Sequence, residues 1–167
     1  DLWCNTRVSG WDRCWVPLRG EGGLRLAGGR GRARRGHYRG RPITTMEHEV
    51  VDGWFSFLPA APPAGIDCRT SKAFIDPLRC EILAETAGGL LVIQAERTPP
   101  ELLAPRQACI EIFNAIGRDG DHLLELEWHA PYRTLAPGDT MVASQRWRLL
   151  PAGTSVHEAQ ALLAAGG

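Results

Sequence analysis

The sequence predicts an antiparallel β-sandwich, and three observations carry that prediction. From residue 46 onward the apolar residues fall in short runs, alternating or wholly apolar, which is strand spacing rather than helix spacing. Gly, Pro and Asp-Gly clusters punctuate these runs at even intervals, and only the C-terminal segment carries a helix start signal. Many short strands with Gly/Pro turns imply a sandwich or barrel rather than an α/β fold. The expected class is mainly β: an antiparallel sandwich, whole or partial, with a short C-terminal helix and a disordered N-terminal segment. The expected division is 1–45, 46–153 and 154–167.

Residues 1–45 combine Trp3, Trp11 and Trp15 with the Gly/Arg run GGRGRARRGHYRGR, and no periodicity persists across them. Such composition predicts disorder. The first strand is Trp54 to Leu58, ended by PAAPPAG, since proline donates nothing to a sheet ladder. Cys80 to Thr86 and Leu90 to Arg97 form a hairpin around Ala87-Gly88-Gly89. Residues 101–106, ELLAPR, make a loop or one helical turn. Gln107 to Ile116 meets His122 to Ala130 across Asp119-Gly120, a strong hairpin signal. Pro137-Gly138 fits the centre of a type II turn, and Met141 to Leu150 is expected to return as a strand pairing with His122 to Ala130. Ser155 and Glu158 have capping-box spacing for a helix running to about Ala165.

The formal net charge of zero averages two regimes. Residues 1–45 hold ten Arg against Asp1, Asp12 and Glu21, whereas the remainder is acidic. A basic arm on an acidic domain suggests RNA binding, with Arg on phosphates and His37 or Tyr38 stacking on bases. The competing reading is a stretch with no evolved role. Five Cys show no CxxC and no Cys-His pair at zinc-ligand spacing, so neither a metal site nor a cofactor is expected and the thiols read as a reduced set. No apolar run approaches a bilayer span and no signal-peptide core is visible. The default expectation is therefore cytoplasm and no membrane partner, which an additional upstream region would alter.

Chemistry concentrates in HLLELEWHAPYRTLAPGDTMVASQRWRLL. Side chains alternate along a strand, so Glu125, Glu127 and His129 share one face and Leu124, Leu126 and Trp128 the other. Glu111 in CIEIF is expected on the same polar side. Trp128 and Trp147 would serve either as a stacking platform or as core. Glu125 and Glu127 would act as catalytic carboxylates or as a solvated face paired with Arg146 or Arg148. Lys72, the single lysine, carries no predicted role.

The succession RTSKAFIDP, LLVIQAER, ACIEIFNA and LLELEWHAPYRTLAPGDTMVASQRWRL resembles the C-terminal part of galactose mutarotase-like β-sandwiches, in particular an uncharacterised bacterial branch, over Asp67 to Leu150. The resemblance implies a concave sheet face that binds a sugar. It implies Glu127 as general base, the one position with a family-based role; Glu111, Glu125, Trp128, His129 and Arg146 are the candidate substrate-binding residues beside it. The family's early histidine motif has no counterpart here. An active protein of this kind would be an aldose mutarotase or epimerase-type isomerase. A non-catalytic Ig-like or accessory sandwich explains LAPGD and its following strand equally well, and RNA binding through the arm is a third expectation.

Overall fold

The computed structural model describes residues 2–8, 11–27, 37–38, 41–57, 62, 64–65, 68–117 and 122–165. In chain order the strands are β1 (Trp3–Val8), β2 (Trp11–Pro17), β3 (Leu24–Leu26), β4 (His37–Tyr38), β5 (Arg41–Pro42), β6 (His48–Val51), β7 (Trp54–Phe57), β8 (Cys68–Ile75), β9 (Glu81–Thr86), β10 (Gly89–Ala95), β11 (Ile110–Gly117), β12 (His122–His129) and β13 (Gln145–Leu150). They are followed by the helix α1 (Val156–Ala165). The strands form a five-stranded sheet, β1-β12-β11-β8-β3, a six-stranded sheet, β13-β10-β9-β2-β7-β6, and the small ribbon β4-β5. Every named pairing is antiparallel.

Alternation builds the core. Ala73, Ile75, Ile110, Ile112, Leu124, Leu126 and Trp128 point inward from the five-stranded sheet against Cys14, Val16, Phe55, Phe57, Ile82, Ala84 and Ile93 of the six-stranded sheet. Opposed apolar faces of this kind are what makes two sheets a sandwich. The outer face of the six-stranded sheet is covered by α1, whose Ala159 and Leu163 pack with Trp54, Leu83, Leu90 and Val92.

The N-terminal segment departs from expectation. Rather than being disordered, β1 takes one edge of the five-stranded sheet, and β2 lies between β9 and β7 in the other. Cys14 and Val16 are fully buried. A division at residue 45 would cut through both sheets. The reason is local alternation: Cys14, Val16 and Leu18 point inward while Arg13 and Trp15 point away, a period that the Arg-rich composition obscures. Residues 28–36 and 39–40 of the Gly/Arg run lie outside the described residues.

A second departure concerns the last two strands. β12 and β13 do not pair, because β1 and β11 already occupy both edges of β12. The open edge belongs to β10, and β13 takes it. Residues 130–144 cross between the sheets, pinned where Ala130 donates to the Leu2 carbonyl and Tyr132 to the Leu102 carbonyl. Met141 to Ser144 are therefore loop, not strand. The Pro-Gly turn forms within this crossing, with Gly138 at φ +95° and Asp139 N–H donating to the Ala136 carbonyl at 3.0 Å. Positive φ at that position is what a type II turn demands.

The β9-β10 hairpin forms as the spacing predicts, and Gly89 is required there: at φ +137° an added Cβ would collide with the Leu150 carbonyl of the neighbouring β13. The Arg118-Asp119-Gly120 turn lies outside the described residues. The capping box also forms. Glu158 N–H donates to Ser155 Oγ at 3.2 Å, and Ser155 N–H donates to the Glu158 carboxylate at 2.8 Å. Ser155→Ala should therefore lower stability by about 1 kcal/mol. Urea denaturation checks this, and an unchanged midpoint would show that the cap contributes nothing.

Among the described residues no helix is long and apolar enough to cross a membrane.

Candidate functional site

The inward residues of β8, β11 and β12 belong to the core, so their alternates face outward from the five-stranded sheet. These are Thr70, Lys72 and Phe74 on β8, Glu111 and Phe113 on β11, and Glu125, Glu127 and His129 on β12. Register then sets which of them meet. Glu111 lies directly opposite Glu127, and Lys72 lies opposite Phe113, one step diagonal to Glu111. Like charges directly opposite one another destabilise a strand pair. Lys72 offsets this by reaching across, with Nζ 2.7 Å from Glu111 Oε2 and 3.1 Å from each Glu127 oxygen.

The carboxylates are deeply buried. Glu111 and Glu127 are each 3 % exposed and His129 is 2 % exposed. Glu111 Oε1 also accepts the Ala108 N–H at 2.9 Å, and His129 is held by its own N–H donating to the Cys109 carbonyl at 3.0 Å. The His129 ring places Nε2 at 3.6 Å from Glu127 Oε2 and 3.8 Å from Glu111 Oε1. Neither ring nitrogen has a hydrogen-bond partner among the described residues.

Burial by itself pushes the Glu127 carboxyl up, but His129 and Lys72 beside it outweigh burial and hold it below its ordinary value of 4.5. Burial likewise pushes the Lys72 ammonium down, and the two carboxylates more than reverse that, leaving it above its ordinary 10.5. The assembly is thus a fixed ammonium between two carboxylates with a histidine against them. Chemically it can accept hydrogen bonds from hydroxyls, donate from Lys72, or hold a cation through Glu111, Glu127 and His129, whose ligand atoms lie within 4.8 Å of one another.

The residues singled out from the sequence divide three ways. Glu111, Glu127 and His129 come together. Glu125 shares their face but belongs to a neighbouring pair, its Oε1 accepting Arg7 Nε at 2.9 Å. Arg7 is largely exposed, so this pair is worth at most about 1 kcal/mol. Trp128 and Arg146 are elsewhere. Trp128 faces the core and donates Nε1–H to the Glu96 carbonyl at 3.1 Å. Arg146 stands on β13 in the opposite sheet, as does Arg148, so neither pairs with Glu125 or Glu127; β13 is instead an exposed edge, with Trp147 55 % exposed. Trp128 and Arg146 do share a different feature, a cleft of about 910 Å³ bordered by the crossing segment and by Arg97 and Thr98.

Lys72 is the member of this cluster that sequence reasoning passed over. Its signal was present in RTSKAFI, where Thr70, Lys72 and Phe74 alternate with Ser71, Ala73 and Ile75. Polar residues on both faces hide that alternation. Zinc-ligand spacing rules missed the Glu111-Glu127-His129 grouping because its members come from two strands.

No curated protein and no solved structure matches the chain. The profile of one family, a domain of unknown function designated DUF4380, matches residues 1–150, which includes the Arg-rich N-terminal segment along with both sheets. The chain belongs to the DUF4380 family.

Proposed function

We propose that the outer face of the five-stranded sheet binds a hydroxylated ligand, a sugar, with Glu127 as its principal acceptor. The observation that carries this reading is the grouping of Glu111, Glu127, Lys72 and His129 on one rigid sheet face. Vicinal hydroxyls need paired acceptors with a donor close by, and two carboxylates flanking an ammonium supply both. Placement on strands favours this use, since strands hold side chains in fixed relation more tightly than loops do. The resemblance of Asp67 to Leu150 to mutarotase-like sandwiches supports the same face and the same glutamate.

Anomerisation is the reaction such a face would carry. Glu127 would take the proton of the anomeric hydroxyl, and His129, two residues along the same strand face, would supply the ring-oxygen proton in place of the family's early histidine. The full chain should show hexose-dependent NMR shifts at the amides of β11 and β12, weakened about tenfold or more in Glu127→Gln. Absence of any shift with glucose or galactose removes the sugar reading. Polarimetry on the same samples separates enzyme from binder, because background rates in the presence of protein would leave binding alone.

A second reading, an interaction module without catalysis, is favoured by the β13 edge. Trp147, Leu149 and Val142 are 55 %, 67 % and 81 % exposed on or beside a strand edge that no described strand pairs, a surface suited to a partner chain.

A further inference from the structure

His129 is the anomaly of the site. It is 2 % exposed, both ring nitrogens lack a hydrogen bond among the described residues, and Nε2 is aimed between two carboxylates. A buried imidazole with no hydrogen bond at either nitrogen is destabilising, and native structures avoid it unless the group serves another purpose. A charge-assisted N–H···O contact from the ring to a carboxylate would close to about 2.7–2.9 Å. The observed 3.6 and 3.8 Å are well beyond that.

Those separations suit a different arrangement. Nitrogen and oxygen ligands about 2.0–2.2 Å from a tetrahedral cation stand roughly 3.4 Å from one another. The Nε2 of His129 stands near this distance from both the Oε1 of Glu111 and the Oε2 of Glu127, and ligand atoms of the three residues all lie within 4.8 Å of one another. Their outer partners are arranged as a coordination site would need. Lys72 Nζ lies 2.7 Å from the other Glu111 oxygen and 3.1 Å from both Glu127 oxygens, and Ala108 N–H donates to Glu111 Oε1. Metal-ligating carboxylates are themselves held by hydrogen bonds of this type, which fix their orientation.

We propose that Glu111, Glu127 and His129 form a binding site for a divalent first-row metal ion of the zinc or manganese class, with Lys72 as a positioning residue that bridges the two carboxylates. Two carboxylates and one imidazole suit these ions, whereas a thiolate-free set does not select copper(I) or iron–sulfur clusters. The ion would occupy atoms of Glu127 and His129 to which the proposed function gives acid and base roles, so its binding is tested in the absence of sugar.

The test uses the full chain, stripped with chelator and titrated with Mn²⁺ in the absence of sugar. Mn²⁺ is chosen because the five cysteines would compete for softer ions. The expected result is one bound equivalent, followed as loss of the free-ion EPR signal, with electron spin-echo modulation from one histidine nitrogen. Glu111→Gln and His129→Leu should each weaken binding by about tenfold or more. No bound Mn²⁺, or a bound ion without histidine nitrogen coupling, overturns the site. Because the coupling is read on the unaltered protein, it decides the matter even where His129→Leu fails to fold. Sugar titration of the stripped and the loaded protein then reports on the proposed function separately.

Discussion

A chain started at Met46 should show no cooperative unfolding transition, whereas the full chain should unfold cooperatively. The deletion removes β2 from between β9 and β7, and β6 and β7 then have no attachment to the rest of the six-stranded sheet. Cys14, Val16 and Leu18 leave the core, and Phe55 and Phe57 lose the strand they pack beside. Fully burying a side chain of this kind contributes about 1.5–3 kcal/mol. Losing several, together with the contacts of the phenylalanines left behind, is comparable with the whole 5–15 kcal/mol or so by which domains are typically stable. Removal of β1 compounds the damage by opening the β12 edge beside the buried carboxylates. Urea titration followed by circular dichroism and tryptophan fluorescence measures the outcome. A Met46-start protein with the midpoint of the full chain would mean that the N-terminal strands are ornaments on a self-sufficient core.

That expectation reverses what composition suggests, and the reversal shows where sequence is informative. The strands from Cys80 onward are legible because apolar residues dominate one face and Gly or Pro closes each run, as in Glu81 to Thr86 and Gly89 to Ala95. β1, β2 and β8 are not, because arginine, threonine, serine and lysine lie among their inward residues' neighbours and blur the period of two. The sheet in which a strand sits is harder still. β12 and β13 are close in sequence and joined by a well-formed turn, yet which edges are open is a property of the whole sheet. The site follows the same logic. Period two alone puts Glu125, Glu127 and His129 on one face, but only cross-strand register chooses Glu111 as the partner of Glu127 and brings Lys72 between them. The same register leaves Glu125 with Arg7.

Lys72→Met should be the most damaging single substitution at this site, lowering stability at pH 7 by about 3 kcal/mol. Breaking a buried ion pair by removing one partner typically costs about 3–5 kcal/mol, and the lower end applies because Lys72 remains about one-fifth exposed. Methionine keeps the length and the apolar stem, so the loss reports on the ammonium rather than on a cavity. The sign of the pH dependence follows from the two shifts. Glu127 is held below 4.5 in the folded state, so its contribution is present above that value and is lost as pH falls through its folded pKa. Lys72 is held above 10.5, so its contribution is present below that value and is lost as pH rises through its folded pKa. The difference between the unaltered protein and Lys72→Met should therefore be largest across the neutral range and shrink in acid, where Glu127 takes up a proton and no longer needs the ammonium. Chelator-treated samples, unfolded in urea at pH 7 and again near pH 4, measure this with no bound ion to confuse the result. A constant difference at both pH values would show that Lys72 acts through packing. No difference at all would mean that the carboxylates are held by other groups, and that the diagonal reach of Lys72 across β11 is incidental to why this sheet face tolerates two opposed glutamates.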